Sequence, residues 1–422
     1  MSLASKLEEM KSGFSKTFWV ANTLELFERF AFYGSKAVLA KYLADTVGLG
    51  LTGNKLMSFY GLAVFGLPVL AGPVVDRFGF KKSLVACFSI FAAGYFLVGL
   101  AGLPQGRALV EALGPKLYVF LALLVTAIGG SLIKPCIVGT VARTTTPATK
   151  SLGYSIYYSL VNFGGALGPI LALVVRKSLG VEFVFVVFAG TSIVLALATA
   201  ALFKEPGVGD EPPRTFGKVL KDAALVFTNV RFISFLVIFS GFWIMFWQVF
   251  FSLPFYATEV IKFEKYELLE TADAWTICLL TVPVTALATR LRPMIAMTLG
   301  FALASGSWLI IAALQTWQSV VIALVFFALG EMLQAPRFYE YVADLAPKDQ
   351  VGTFMGFAFV PVAIGYGVAG YLSAYLIGKY IPKGGSAENA SGMWVTLSAI
   401  GFATTVLMVL YDRFIAPKHA AV

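Results

Sequence analysis

Apolar runs of about 20 residues recur along the whole of this chain, each long enough to cross roughly 30 Å of hydrocarbon as a helix. Lipid offers a backbone no hydrogen-bond partner, so only helices and closed barrels can span it. The runs are continuous rather than ten-residue stretches of alternating polarity, which argues against a barrel and for an all-α membrane protein. Twelve spans are expected, with approximate cores at 18–43, 55–75, 82–103, 117–142, 152–175, 182–203, 232–255, 270–289, 293–314, 319–342, 351–378 and 391–411. A composition of 59% apolar and 13% charged residues over 422 positions lies far outside the range of water-soluble domains.

The first residues, MSLASKLEEMKSGFSKTF, are amphipathic and run into the first span without a small-residue cleavage site, so that span itself is expected to direct insertion. With the N-terminus inside, basic residues such as Lys81, Lys82, Arg143, Arg290, Arg292 and Lys348 collect on the cytoplasmic side. Both termini are therefore expected to be cytoplasmic. A compact chain with short loops points to a bacterial inner membrane. The net charge of +9 reflects this topology, since no basic tail or motif suited to nucleic acid is present. Cys87, Cys136 and Cys278 fall in separate spans and the single histidine is His419, so no metal site, cofactor or catalytic triad is expected and the chain does not read as an enzyme.

The longest polar interruption, 204–230, opens with Glu205-Pro206-Gly207 and leaves six spans on either side. It reads as a cytoplasmic linker between an N-terminal bundle, 1–203, and a C-terminal bundle, 231–422. The halves echo one another. Gly129 precedes Pro135 by six residues and is followed by Pro147, Lys150 and Gly153; Gly330 precedes Pro336 by six and is followed by Pro347, Lys348 and Gly352. Weak internal symmetry of this kind is expected of transporters built from repeated bundles, with a solute site near the midplane.

Charges inside the spans are the exceptional residues: Glu25, Glu28, Arg29 and Lys36 in the first, Lys134 in the fourth, Glu331 and Arg337 in the tenth. Each costs roughly 2.5–3.5 kcal/mol at the bilayer centre on insertion scales, so they must meet one another or water. Glu25 and Arg29 are spaced i,i+4 with Glu28 beside them, and Lys134 supplies a positive pole on another helix. The set suits a charge relay or a polar solute site. A permanent network that holds the N-terminal bundle together is the plainer alternative.

Between spans two and three, Gly72-Pro73-Val74-Val75-Asp76-Arg77-Phe78-Gly79-Phe80-Lys81-Lys82 resembles the G-x-x-x-D-R-x-G-x-K/R-K/R loop of the major facilitator superfamily, marking Gly72, Asp76, Arg77 and Gly79 as a cytoplasmic gate motif. Glu25-x-x-Glu28-Arg29-Phe30-x-x-Tyr33-Gly34 is similar to the ExxERFxxYG motif of the proton-coupled oligopeptide transporters within that superfamily. Four further stretches resemble the same family: Gly129 to Pro135 with its Ile-Lys-Pro ending, Tyr154 to Gly165, Phe242 to Gln248, and Gly330-Glu331 with Pro336. The likeness implies a major facilitator fold of twelve helices in two six-helix bundles. It also implies exchange of salt bridges among Glu25, Glu28, Arg29 and Lys134 as protons bind and leave. In the family, residues at the places of Lys36 and Lys134 lie near the substrate carboxylate, and one at the place of Glu331 near its amino group. Tyr33, Tyr60, Tyr157, Asn162 and Gln248 are positioned to add hydrogen bonds to a solute or to join helices.

This chain departs from the family in two places. Trp247 stands where an acid usually precedes the seventh-helix glutamine, and Arg337 is an added charge. With three acids against four bases in the spans, a more anionic substrate or a changed coupling scheme follows. The leading expectation is a monomeric, proton-coupled symporter of di- and tripeptides or similar small zwitterions, working by alternating access in the lipid bilayer. The alternative is a uniporter or exchanger of another small organic anion or peptide-like solute.

Overall fold

In a computed structural model that describes residues 13–146, 149–207, 216–347, 351–381 and 387–416, the apolar runs are helical and these residues contain no strand. Residues 1–12, Pro147, Lys348 and His419 lie outside the described residues. The principal helices are α1 (Lys16–Lys41), α2 (Thr52–Gly66), α3 (Pro68–Phe78), α4 (Phe80–Leu100), α5 (Pro115–Thr144), α6 (Lys150–Ser178), α7 (Val181–Leu202), α8 (Phe216–Thr228), α9 (Val230–Phe246), α10 (Tyr266–Ala288), α11 (Pro293–Leu314), α12 (Trp317–Leu345), α13 (Val360–Tyr380) and α14 (Ala387–Phe414).

Local chemistry sets where the helices begin. Proline stands in the first turn of α3, α5, α11 and α13, where its missing N–H would have no helical partner in any case. At the start of α12, Thr316 Oγ1 accepts from the Ser319 N–H while Ser319 Oγ accepts from the Thr316 N–H, each at 3.1 Å. Single π-helical turns follow the first and seventh spans, at Tyr42–Thr46 and Tyr256–Val260.

Ten of the described helical stretches are long and apolar enough to cross a membrane, and α2 with α3, bent by 46°, makes an eleventh. α1 has the length, 26 residues, but Glu25, Glu28, Arg29 and Lys36 place it outside an apolar composition. By these criteria the described helices supply eleven spans where the sequence suggests twelve.

Two compact units emerge: Met1–Lys36 with Leu67–Phe216, and Ala37–Gly66 with Gly217–Val422. In the first unit α4 packs on α5 and α7, and α3 on α5. In the second, α11 packs on both α12 and α14, α10 on α12, and α13 on α9 and α2. Residues 37–66, which the linker position assigns to an N-terminal bundle of 1–203, thus cluster with the second unit. Asn54 Nδ2 donates to Ser373 Oγ at 2.9 Å, and the Tyr366 ring lies within 4.6–6.3 Å of the rings of Trp247, Phe65 and Tyr60. Lys41 Nζ bridges Asp45 at 2.9 Å and Glu259 at 3.0 Å.

Candidate functional site

The charged residues of α1 share one face because Glu25 and Arg29 are one turn apart, and that face is buried: Glu25 is 0%, Glu28 3% and Arg29 5% exposed. α5 supplies the opposite pole. Lys134 Nζ donates to Glu25 Oε1 at 2.7 Å and to Tyr157 Oη of α6 at 2.6 Å, and the Tyr157 hydroxyl donates on to Glu25 Oε1 at 3.3 Å. Arg29 Nε lies 3.5 Å from the same Glu25 oxygen and donates to Glu28. Two acids and two bases thereby close into a neutral cluster, the only inexpensive way to hold four charges away from water. Charge-assisted hydrogen bonds at these lengths are of the strong kind.

Backbone proximity makes the cluster possible. A Cβ on Gly164 of α6 would sit 2.5 Å from the Leu26 carbonyl oxygen and 3.1 Å from the Arg29 Cβ, so α1 reaches α6 closely only across a glycine. Within the same unit the Phe32 ring takes Arg29 at 4.5 Å on its centroid and Lys36 Nζ at 4.0 Å, and Lys36 lies 5.8 Å from the Tyr33 centroid. Lys36 is 1% exposed, and its positive charge rests on aromatic faces.

The remaining expected site residues have other surroundings. Asn162 Nδ2 donates to the Tyr158 carbonyl of its own helix at 2.9 Å. Gln248 Nε2 donates to the Ala369 carbonyl at 3.1 Å and its Oε1 accepts from Ser252 Oγ at 2.5 Å, so its amide joins helices of the second unit. Tyr60 is buried against Tyr366 in that unit. Arg337 bonds Glu340 and donates to the Leu291 carbonyl at 2.6 Å, which commits its guanidinium to a local pair and a helix end. Glu331 lies on α12 with Oε2 buried and without a hydrogen-bond partner among the described residues.

Sequence reasoning missed five acids. Glu267, Glu270 and Asp273 of α10 are 0%, 4% and 8% exposed, and with Glu340, the partner of Arg337, they tip the balance of charge in the spans from basic to acidic. The i,i+3 spacing of the three on α10, at the edge of an apolar run, was the available signal. The fifth, Glu205, accepts from the backbone N–H groups of Phe80 at 2.6 Å and Lys81 at 2.8 Å and so caps α4 at the motif loop. Gly79 in that loop has φ 82°, a left-handed turn that favours glycine. Arg77 lies 5.5 Å from the Phe78 centroid, Asp76 is half-buried, and Gly72 has open space where a Cβ would stand.

Residues 18–369 match the family model described as Major Facilitator Superfamily. Among curated proteins, multidrug resistance protein MdtH of Yersinia enterocolitica serotype O:8 is 25% identical over 376 residues, covering 88% of this chain and 86% of that one. Dipeptide and tripeptide permease B of Edwardsiella piscicida is 24% identical over 440 residues, covering 85% and 86%. Among solved structures, a POT family transporter in complex with 5-aminolevulinic acid superposes with a TM-score of 0.77 at 18% identity over 95% of this chain and 96% of that one. The peptide transporter POT in complex with sulfate gives 0.75 at 20% identity over 94% of each. At these identities the structural likeness shows the fold.

Proposed function

Because the chain belongs to the Major Facilitator Superfamily, we propose that it is a proton-coupled symporter of di- and tripeptides or similar small zwitterions, working by alternating access. The observation that carries this reading is the closed cluster of Glu25, Arg29, Lys134 and Tyr157, with Glu28 on Arg29. As it stands the cluster is neutral. A proton added to one carboxylate leaves a base in excess, and Lys134, at 22% the most exposed of the four charged side chains, is the base that can take a substrate carboxylate. The reverse also holds: a carboxylate drawn to Lys134 leaves Glu25 with one base fewer and favours its protonation. Proton and anion thus bind together because a buried cluster resists net charge. Glu331, on α12 of the second unit, is a carboxylate of the kind that suits an amino group. The name of the Edwardsiella permease agrees with the substrate class.

In this reading Lys36 and Tyr33 line the carboxylate side of the solute site, Asp76, Arg77 and Gly79 form a cytoplasmic gate, and the protein is an inner-membrane monomer with both termini cytoplasmic. The alternative of an organic-anion uniporter or exchanger loses part of its motive, since Arg337 is engaged by Glu340 and Leu291. Uptake of Ala-Ala into proteoliposomes under an imposed inward proton gradient tests the proposal. Accumulation that rises with the gradient and disappears in Glu25→Gln is expected; uptake indifferent to the gradient, or absent, would overturn it.

A further inference from the structure

The two units treat their buried acids differently. In the first, Glu25 and Glu28 are met by Arg29 and Lys134. In the second, Glu270 has neither oxygen hydrogen-bonded, and Asp273 and Glu331, each with one buried oxygen unpartnered, have no ion pair among the described residues. Glu270 and Asp273 are more than nine-tenths buried. Asp273 is on the face of α10 that meets α12: one turn further on, Ile277 packs against Ala328 and Met332, the residues that flank Glu331. Burial is the main influence on Glu331, and Asp273 lies close enough to act on it as well. Two carboxyl groups on packed helices, with oxygens to spare, are matched by a positive group brought between them. These residues form no group suited to a metal ion among the described residues. Helices packed side by side in a bundle of this kind commonly carry the polar groups of a solute site.

We propose that Asp273 of α10 and Glu331 of α12 form a two-carboxylate subsite for organic ammonium groups, so that solutes with a second positive charge, such as peptides with a lysine side chain, are preferred over singly charged zwitterions. The inference rests on the transport reading above and sharpens its substrate class. It reverses the expectation of a more anionic solute, which rested on a count that omitted the acids of α10. Asp273 is in this view a specificity-determining residue.

Thermal stabilisation of detergent-purified protein by Ala-Ala, norleucyl-alanine, Lys-Ala and cadaverine at fixed ionic strength tests it. Norleucine matches the length of lysine without its charge. Lys-Ala is expected to bind wild type about tenfold more tightly than norleucyl-alanine, a difference of roughly 1.4 kcal/mol. Asp273→Asn is expected to abolish that ratio and Asp273→Glu to restore most of it. Equal affinities of the two peptides in wild type overturn the proposal without any variant, and an unchanged ratio in Asp273→Asn does so as well. Cadaverine separates this failure from failure of the transport reading. If proteoliposomes take up no peptide while wild type binds cadaverine and Asp273→Asn does not, the subsite stands and peptide transport falls. Uptake of Ala-Ala with no preference for Lys-Ala has the opposite meaning.

Discussion

Glu25 is held from two directions, by Lys134 at 2.7 Å and Arg29 at 3.5 Å, whereas Glu28 depends on Arg29. The two bases are therefore unequal. Arg29→Ala strips Glu28 of its cation in a site that is 3% exposed, and leaving a buried charge unpaired costs about 3–5 kcal/mol. Lys134→Ala leaves Glu25 with Arg29 and forfeits one charged hydrogen bond, about 1.5–3 kcal/mol. Thermal unfolding in detergent should thus show a larger loss for Arg29→Ala, while proteoliposome uptake should be abolished by both. A Lys134→Ala variant less stable than Arg29→Ala would count against this account of the cluster. The identities of these four charges are visible in the sequence because i,i+4 spacing and in-span charge are local signals. What Gln248 and Arg337 touch is not. Their partners Ala369 and Leu291 lie 121 and 46 residues away, and no periodicity announces such bonds.

Helix-scale organisation repeats across the halves in a way that a pairwise motif only hinted at. Gly129 of α5 and Gly330 of α12 each precede a proline by six residues, and each stands against the backbone of the preceding span. They differ in tightness. A Cβ on Gly330 would stand 2.5 Å from the Gly300 carbonyl oxygen, while one on Gly129 meets the Phe91 nitrogen at 3.0 Å. Gly330→Ala is expected to cost about 1–3 kcal/mol through overpacking. Gly129→Ala should be closer to neutral, since the gain of about 1 kcal/mol in helix propensity offsets a milder contact. Melting temperatures of the two variants decide this, and equal losses would refute it. Glu205→Ala removes the cap of α4 and should cost about 0.5–2 kcal/mol, with faster amide exchange at Phe80 and Lys81 as the local readout. Unchanged exchange at those amides would mean the cap is idle. Glu205 is hidden from the sequence because it caps a helix 124 residues away; Glu267 is hidden because the apolar run begins at 270, whereas the helix begins at Tyr266.

For the whole molecule the deciding quantity is the charge moved per cycle. Apolar runs and the loop motif were enough to read a helical major facilitator from the sequence, because lipid leaves few choices of backbone. The grouping of 37–66 with the second unit was illegible, since it follows from packing of α2 on α13 more than 300 residues away. Trp247 bears on coupling directly: where the family has an acid, this chain has a 2% exposed indole stacked among Phe65, Trp243 and Tyr366, so no proton can be carried there. In the proposed cycle the proton is carried by the cluster on α1. One proton taken up there with a neutral zwitterion moves one positive charge, and a membrane potential of 100 mV is worth about 2.3 kcal/mol on that charge. At about 1.36 kcal/mol per tenfold, such a potential alone should sustain roughly fifty-fold accumulation of Ala-Ala. A potassium diffusion potential, inside negative and with equal pH on both sides, is therefore expected to drive uptake of Ala-Ala into proteoliposomes, and Glu25→Gln to lose the response. Ala-Ala is the right probe because its own net charge is zero: in vesicles that hold no other solute to exchange, uniport would leave its distribution indifferent to voltage, and that indifference would exclude proton symport through this cluster.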